Sequence, residues 1–236
     1  MERRDTAILL AKHFYGEHRC HGIFLTHTQG RVRVTLSKKK SFPLQPGDFG
    51  QLCWKAVSSE KLAFGQYEGI ASSLASILQN PLALLALKSA CTLCLRVLPD
   101  HTPSEPMFHT LAQFLQKLAS FHPAFYVLFE CQALSHVGYG LSLEHCAVTG
   151  TSSGLQFVSP KTGRAVSMEG GGAYRERLLK LPAFLTSKSL NVSSIPLEDI
   201  LQGILLTEHF WKRALKEFHP GLSLPEERAL FVQYLY

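Results

Sequence analysis

The chain has 236 residues, 46% of them hydrophobic and 18% charged, with a formal net charge of +6. That is enough apolar material for two small domains or one larger one. No apolar run reaches the length of a bilayer span without a charge: the closest, residues 81–98, contains Lys88 and Arg96 and reads as a buried helix. The opening Met1-Glu2-Arg3-Arg4-Asp5 is charged and leads into a strand pattern, so no signal peptide is expected and the expected compartment is the cytoplasm, with nucleoid association if the partner is DNA. The positive excess is uneven. Residues 1–70 carry 11 Lys/Arg against 6 Asp/Glu, residues 71–150 carry 3 against 4, and residues 151–236 carry 10 against 8. A basic module attached to a near-neutral one points to nucleic acid or an acidic membrane surface, with a plain high-pI protein as the alternative.

Strands are expected first. Residues 7–13 form one, residues 16–18 a turn, residues 21–28 a second strand, and Gln29-Gly30 a tight turn into a third. In that third strand Val32, Val34 and Leu36 alternate with Arg31, Arg33 and Thr35, which predicts an apolar inner face and a cationic outer one. It ends on a tip of three adjacent ammonium groups, Lys38, Lys39 and Lys40. Turn formers fill residues 42–48, and strands are expected over 49–57 and 62–70, on either side of Ser58-Ser59-Glu60. Five short strands in about seventy residues fit a Greek-key barrel of the OB type, which binds single strands through a charged groove and stacking aromatics. The candidate stackers are Phe24, Trp54, Phe64 and Tyr67, each with a core position as its plainer reading; Trp54 shares a face with Leu52 and Ala56.

From Ser72 the period becomes helical. Pro81 opens a helix over residues 81–97 that is apolar almost all round and therefore central to a bundle. Further helices are expected over 107–119, with Phe108, Leu111, Leu115 and Leu118 on one face, and over about 124–137, ended by Gly138-Tyr139-Gly140. Residues 140–185 read as irregular, with a short strand at 155–158. Helices from about 195 to 218 and from 225 to 236 complete the chain. The expected class is α+β: an OB-type barrel over residues 1–71, then an α-helical domain over 72–236 with an irregular insertion at about 140–190.

Motifs with catalytic spacing lack catalytic context. Cys91-Thr92-Leu93-Cys94 lies inside the apolar helix with no second ligand pair, which favours core packing. The six cysteines, Cys20, Cys53, Cys91, Cys94, Cys131 and Cys146, read as reduced thiols among apolar neighbours. Gly150-Thr151-Ser152-Ser153-Gly154 matches the nucleophile elbow but has no buried strand before it and no helix after it. Gly170-Gly171-Gly172 lacks the Walker lysine and the dinucleotide fingerprint, and the eleven histidines show no HExxH-like grouping. Arg175, Arg177 and Lys180, near Lys161 and Arg164, form a second basic cluster, with a solvated surface as its default reading. No enzyme activity, cofactor or metal is expected.

The runs Gly138-Tyr139-Gly140-Leu141, Cys146-Ala147-Val148-Thr149-Gly150, Phe157 through Ser167, and Leu181-Pro182-Ala183-Phe184-Leu185 resemble the RecO family of DNA repair proteins in an alphaproteobacterial form. The opening strand and Leu44-Gln45-Pro46-Gly47 are similar to that family too. The resemblance implies an OB barrel followed by a helical domain. It implies a non-enzymatic recombination mediator that binds single- and double-stranded DNA and anneals complementary strands. In the RecF pathway such a protein helps RecA displace single-strand-binding protein (SSB), working with RecR and, in one route, RecF. The chain departs from the family at two places. Where some members hold zinc with two Cys-x-x-Cys pairs, only Cys146 remains and Thr149 takes its partner's place, so no zinc is expected. Where some relatives carry an Arg that helps hold the acidic SSB tail, Leu128 stands before Phe129-Glu130. The tail would then rest on Phe125 and Phe129, with Lys117 supplying charge. For DNA contact the candidates are Arg31, Arg33, Lys38, Lys39, Lys40, Lys55 and Arg175. The competing class is a protein-binding adaptor whose barrel docks a partner without touching DNA.

Overall fold

A computed structural model describes residues 2–15, 19–37, 44–55, 63–72, 74–187, 189, 191–218 and 220–236. The fold is α+β. The chain divides into two compact units: Met1–Phe121 with Pro225–Arg228, and His122–Leu224 with Ala229–Tyr236.

The first unit is built on five strands: β1 (Glu2–Tyr15), β2 (Arg19–Thr26), β3 (Gly30–Ser37), β4 (Phe49–Lys55) and β5 (Ala63–Ala71). They close into a barrel of order β1-β2-β3-β5-β4, the connectivity of an OB-type fold. Neighbours are antiparallel except β3 and β5, which run parallel and, among the described residues, pair at Val34–Ala63, Thr35–Phe64 and Leu36–Gly65. Gly65 lies at that seam, where a Cβ would fall 2.9 Å from the Val34 side chain of β3 and 2.3 Å from the Cys53 carbonyl of β4, so the bare glycine permits the close approach. The alternation of β3 holds on its inner face. Val32, Val34 and Leu36 join Ala7, Leu9, Phe24, Leu52, Trp54 and Tyr67 in the buried barrel core. β1 is longer than the expected residues 7–13. Ile8, on the face opposite Ala7 and Leu9, is fully buried as well, because the helix over Pro81–Val97 packs on this strand. That double burial explains the unbroken apolar run Ala7-Ile8-Leu9-Leu10.

Three helices come next: α1 (Leu74–Ile77), α2 (Pro81–Val97) and α3 (Glu105–Lys117). Asn80 caps α2, its side-chain oxygen accepting the Ala83 N–H at 3.1 Å, and Pro81 takes the first turn, where its missing N–H costs nothing. α2 and α3 cluster with the barrel, so the division between units falls at Phe121/His122, some fifty residues beyond the expected boundary at 71.

The second unit holds α4 (Pro123–His136), β6 (Leu155–Val158), β7 (Ala165–Ser167), α5 (Met168–Gly171), β8 (Leu179–Lys180) and α6 (Leu197–Phe218). The last helix, α7 (Glu226–Gln233), spans the division. α4 and α6 pack on each other. Between them Thr207 Oγ1 donates to the carboxylate of Glu130, both residues being fully buried. The segment expected to be irregular contains a three-stranded sheet of order β7-β6-β8. Only β6 was legible, because strands of three and two residues are too short to show a period. Among the described residues no helix is long and apolar enough to cross a membrane.

Candidate nucleic-acid interface

Ladder partners share a face, and the registers of the barrel place Lys55, Phe64, Thr35 and His21 side by side on its outward face, with Thr35 itself buried. Phe64 is 49% exposed, whereas the other three candidate stackers are core residues: Phe24 at 0%, Trp54 at 3% and Tyr67 at 9%. The Arg19 guanidinium lies 5.9 Å from the Phe64 ring centroid, a cation–π distance. His21 Nδ1 and Thr35 Oγ1 are 3.0 Å apart. Lys55 is exposed directly across the ladder from Phe64. This end of the barrel therefore presents an aromatic face bordered by a lysine and an arginine. The chain leaves β3 at the same end, at Ser37, and Lys38, Lys39 and Lys40 come next. Those three lie outside the described residues.

The arginines of β3 differ from each other in their surroundings. Arg31 has only 15% of its side chain exposed; its Nε donates to Asp100 Oδ1 at 2.5 Å and an Nη donates to the Leu95 carbonyl. Arg31, a candidate for DNA contact on the outer face, is thus largely covered by Asp100 of the loop between α2 and α3 and by the end of α2. The backbone repeats the attachment, the His101 N–H donating to the Arg31 carbonyl at 2.9 Å. Arg33 also reaches Asp100, with 3.3 Å between Nη and Oδ2, but keeps 57% of its side chain exposed. One acid beside two arginines leaves net positive charge, and Arg33 is the member able to share it outward.

Arg175 belongs to the second unit, in a 3-10 segment spanning Gly172–Arg177, and is exposed, as are Arg177 and Lys180. Lys180 Nζ is 3.9 Å from Glu198. Of the residues expected to hold an acidic tail, Lys117 is exposed at the end of α3, Phe125 is half-buried on α4, and Phe129 is 2% exposed and stacked on Tyr126. Phe129 therefore shapes α4 from inside. Arg19 was not among the residues expected here, and only the β2–β3 and β3–β5 registers bring it to Phe64.

Cys146 sits at a knot of donors. Its sulfur accepts from the N–H groups of Val148, Thr149 and Ser167 at 3.4, 3.4 and 3.2 Å, and from Ser167 Oγ at 3.3 Å. Burial pushes this thiol up, but donors from Ser167 and Thr149 outweigh it and bring it from about 9 down to about 6. The surroundings do not fit zinc. Thr149 and Ser167 offer hydroxyls, and Gly170, whose Cβ would lie 2.9 Å from the Cys146 sulfur, offers no side chain. Hydrogen bonds to one sulfur tie these turns together. In α2, burial pushes Cys91 up and Cys94 up to about 12, so this pair packs as neutral thiols. Ser152 is exposed and leads into strand β6 instead of a helix, so the elbow architecture is missing.

The barrel, its strand order and the bordered aromatic define an OB-fold protein. The family model described as "Recombination protein O C terminal" matches residues 78–222. Similar along nearly their whole lengths are curated proteins named "DNA repair protein RecO". The one from Rhodospirillum centenum is 36% identical over 98% of this chain and 94% of its own. Those from Methylocella silvestris and Cereibacter sphaeroides are 34% and 35% identical, over 98% and 100% of this chain and 95% and 98% of theirs. The chain belongs to the RecO family of DNA repair and recombination proteins.

Proposed function

We propose that this chain is a recombination mediator that binds single- and double-stranded DNA, anneals complementary strands and, with RecR in the RecF pathway, helps load RecA on SSB-coated single strands. The observation that carries the reading is the exposed Phe64 ring bordered by Arg19 and Lys55 at the barrel end from which the lysine tip departs. Cations displace condensed counterions from phosphates, which gives sequence-tolerant and salt-sensitive affinity. An exposed ring adds stacking that any base can use. Two strands neutralised on one cationic surface repel each other less, so pairing is promoted with no bond made or broken and no catalytic group.

In this reading Arg33, Lys38, Lys39, Lys40 and Lys55 contact phosphate, Arg175 adds contacts from the second unit, and Arg31 holds β3 in place. The acidic tail of SSB would lie along Phe125 of α4. Binding of a fluorescent oligonucleotide, titrated from low to moderate salt, tests the proposal. Saturable binding that weakens steeply with salt, and weakens further in Phe64→Ala, supports it. Binding absent even at low salt rejects it in favour of an adaptor that touches only protein. Annealing on SSB-coated oligonucleotides, with and without RecR, tests the mediator role.

A further inference from the structure

Glu105 and His109 are four residues apart on α3 and so share a helix face. The β2–β3 turn brings His27 to the same place, from 78 positions away along the chain. Nε2 of His27 and Nε2 of His109 are 3.3 Å apart; they lie 3.3 and 3.4 Å from Oε1 of Glu105. Among the described residues this is the one group of three such side chains whose donor atoms converge.

We propose that His27, Glu105 and His109 bind a divalent cation of the zinc class, with a fourth coordination position open. A tetrahedral cation with bonds of about 2.0–2.1 Å holds its ligand atoms about 3.3–3.4 Å apart, and all three separations fall there. Two imidazoles and one carboxylate suit zinc, and not magnesium or calcium, which take oxygen shells. The side chains are 34%, 62% and 55% exposed for His27, Glu105 and His109, so the fourth position opens to water.

The site is held in place before any cation arrives. Thr28 N–H and Oγ1 both donate to Asp5 Oδ2, at 2.8 and 2.9 Å, which pins the turn to β1. The His27 N–H donates to the Thr6 carbonyl at 2.9 Å. The His27 ring rests 5.2 Å from that of Phe108. Arg31 fastens β3 to Asp100, five residues before Glu105. The two segments supplying ligands are thereby fixed to each other by contacts that do not involve the ligands. A cation bound there clamps the β2–β3 hairpin to α3.

The test uses the full chain, free of any affinity tag and stripped with chelator. Zinc is titrated by calorimetry, and cobalt by visible absorption as a reporter of coordination geometry. The expected result is one equivalent bound, with an intense tetrahedral cobalt spectrum, and a rise in melting temperature with zinc but not with magnesium. His27→Ala, His109→Ala and Glu105→Gln should each weaken zinc at least about tenfold, while His145→Ala, at an exposed histidine of the second unit, leaves it unchanged. Absence of saturable zinc binding by the unaltered chain overturns the proposal. So does undiminished one-equivalent binding in a His27→Ala/His109→Ala variant whose far-ultraviolet circular dichroism is native.

Discussion

Arg31 and Arg33 stand two positions apart on one strand and share one acid, yet they serve different ends. Arg31→Ala strips a charged hydrogen bond from Asp100 and a donor from the Leu95 carbonyl, at a site only 15% exposed. Denaturant unfolding should show a loss of about 1.5–3 kcal/mol. Arg33→Ala, at 57% exposure, should cost under about 0.5 kcal/mol in the same measurement but reduce the salt slope of DNA binding by about one unit. The reverse pattern would exchange their roles. In the second unit Thr207→Val keeps the shape of the side chain and removes a donor to the buried Glu130 carboxylate, so unfolding should register a loss of about 1–3 kcal/mol. Cys146 supplies a pH signature. Its folded value of about 6 lies below its ordinary value of about 9, so its contribution is complete above pH 9 and is lost as pH falls through 6. The stability difference between the unaltered chain and Cys146→Ala should therefore shrink on going from pH 9 to pH 6. A difference constant over that range would show that the sulfur is bound as a neutral thiol.

At the scale of elements, the β2–β3 turn stands at one end of a strand pair, and Ser37, which the lysine run follows in sequence, at the other. Gly30 has φ of 71°, and a Cβ there would fall 1.8 Å from the Thr102 carbonyl oxygen. Gly30→Ala should cost more than about 2 kcal/mol, with the α2–α3 loop losing protease resistance first. At the other end, replacing Lys38, Lys39 and Lys40 together by Ala should flatten the salt dependence of DNA binding by about two to three units of slope; an unchanged slope removes the tip from the interface. Much of the fold was legible because its long elements obey one period each. The alternation of Val32, Val34 and Leu36 marked β3, and the Pro81 start marked α2. The interface was legible only in part. Alternation shows that Arg31 and Arg33 leave the core, but not that Asp100, almost seventy residues on, meets them. Likewise Arg19 and Phe64 sit on different strands, and their meeting depends on a parallel register that local sequence does not encode. β8, with two residues, carried no period at all.

Over the whole molecule, the chain belongs to the RecO family of DNA repair proteins. The DNA binding proposed above is expected to track ionic strength more than base sequence, which competition between unrelated oligonucleotides at fixed salt would check. The closure of the barrel also sets where it is weakest. Among the described residues, eight pairs join β2 to β3 and three join β3 to β5. A ring fastened so unequally should part at its narrow join before it unravels elsewhere. Amide protons along Ala63–Gly65 would then trade for deuterium earlier than those in the middle of β2, and a strand invited into that gap would bind the opened form alone.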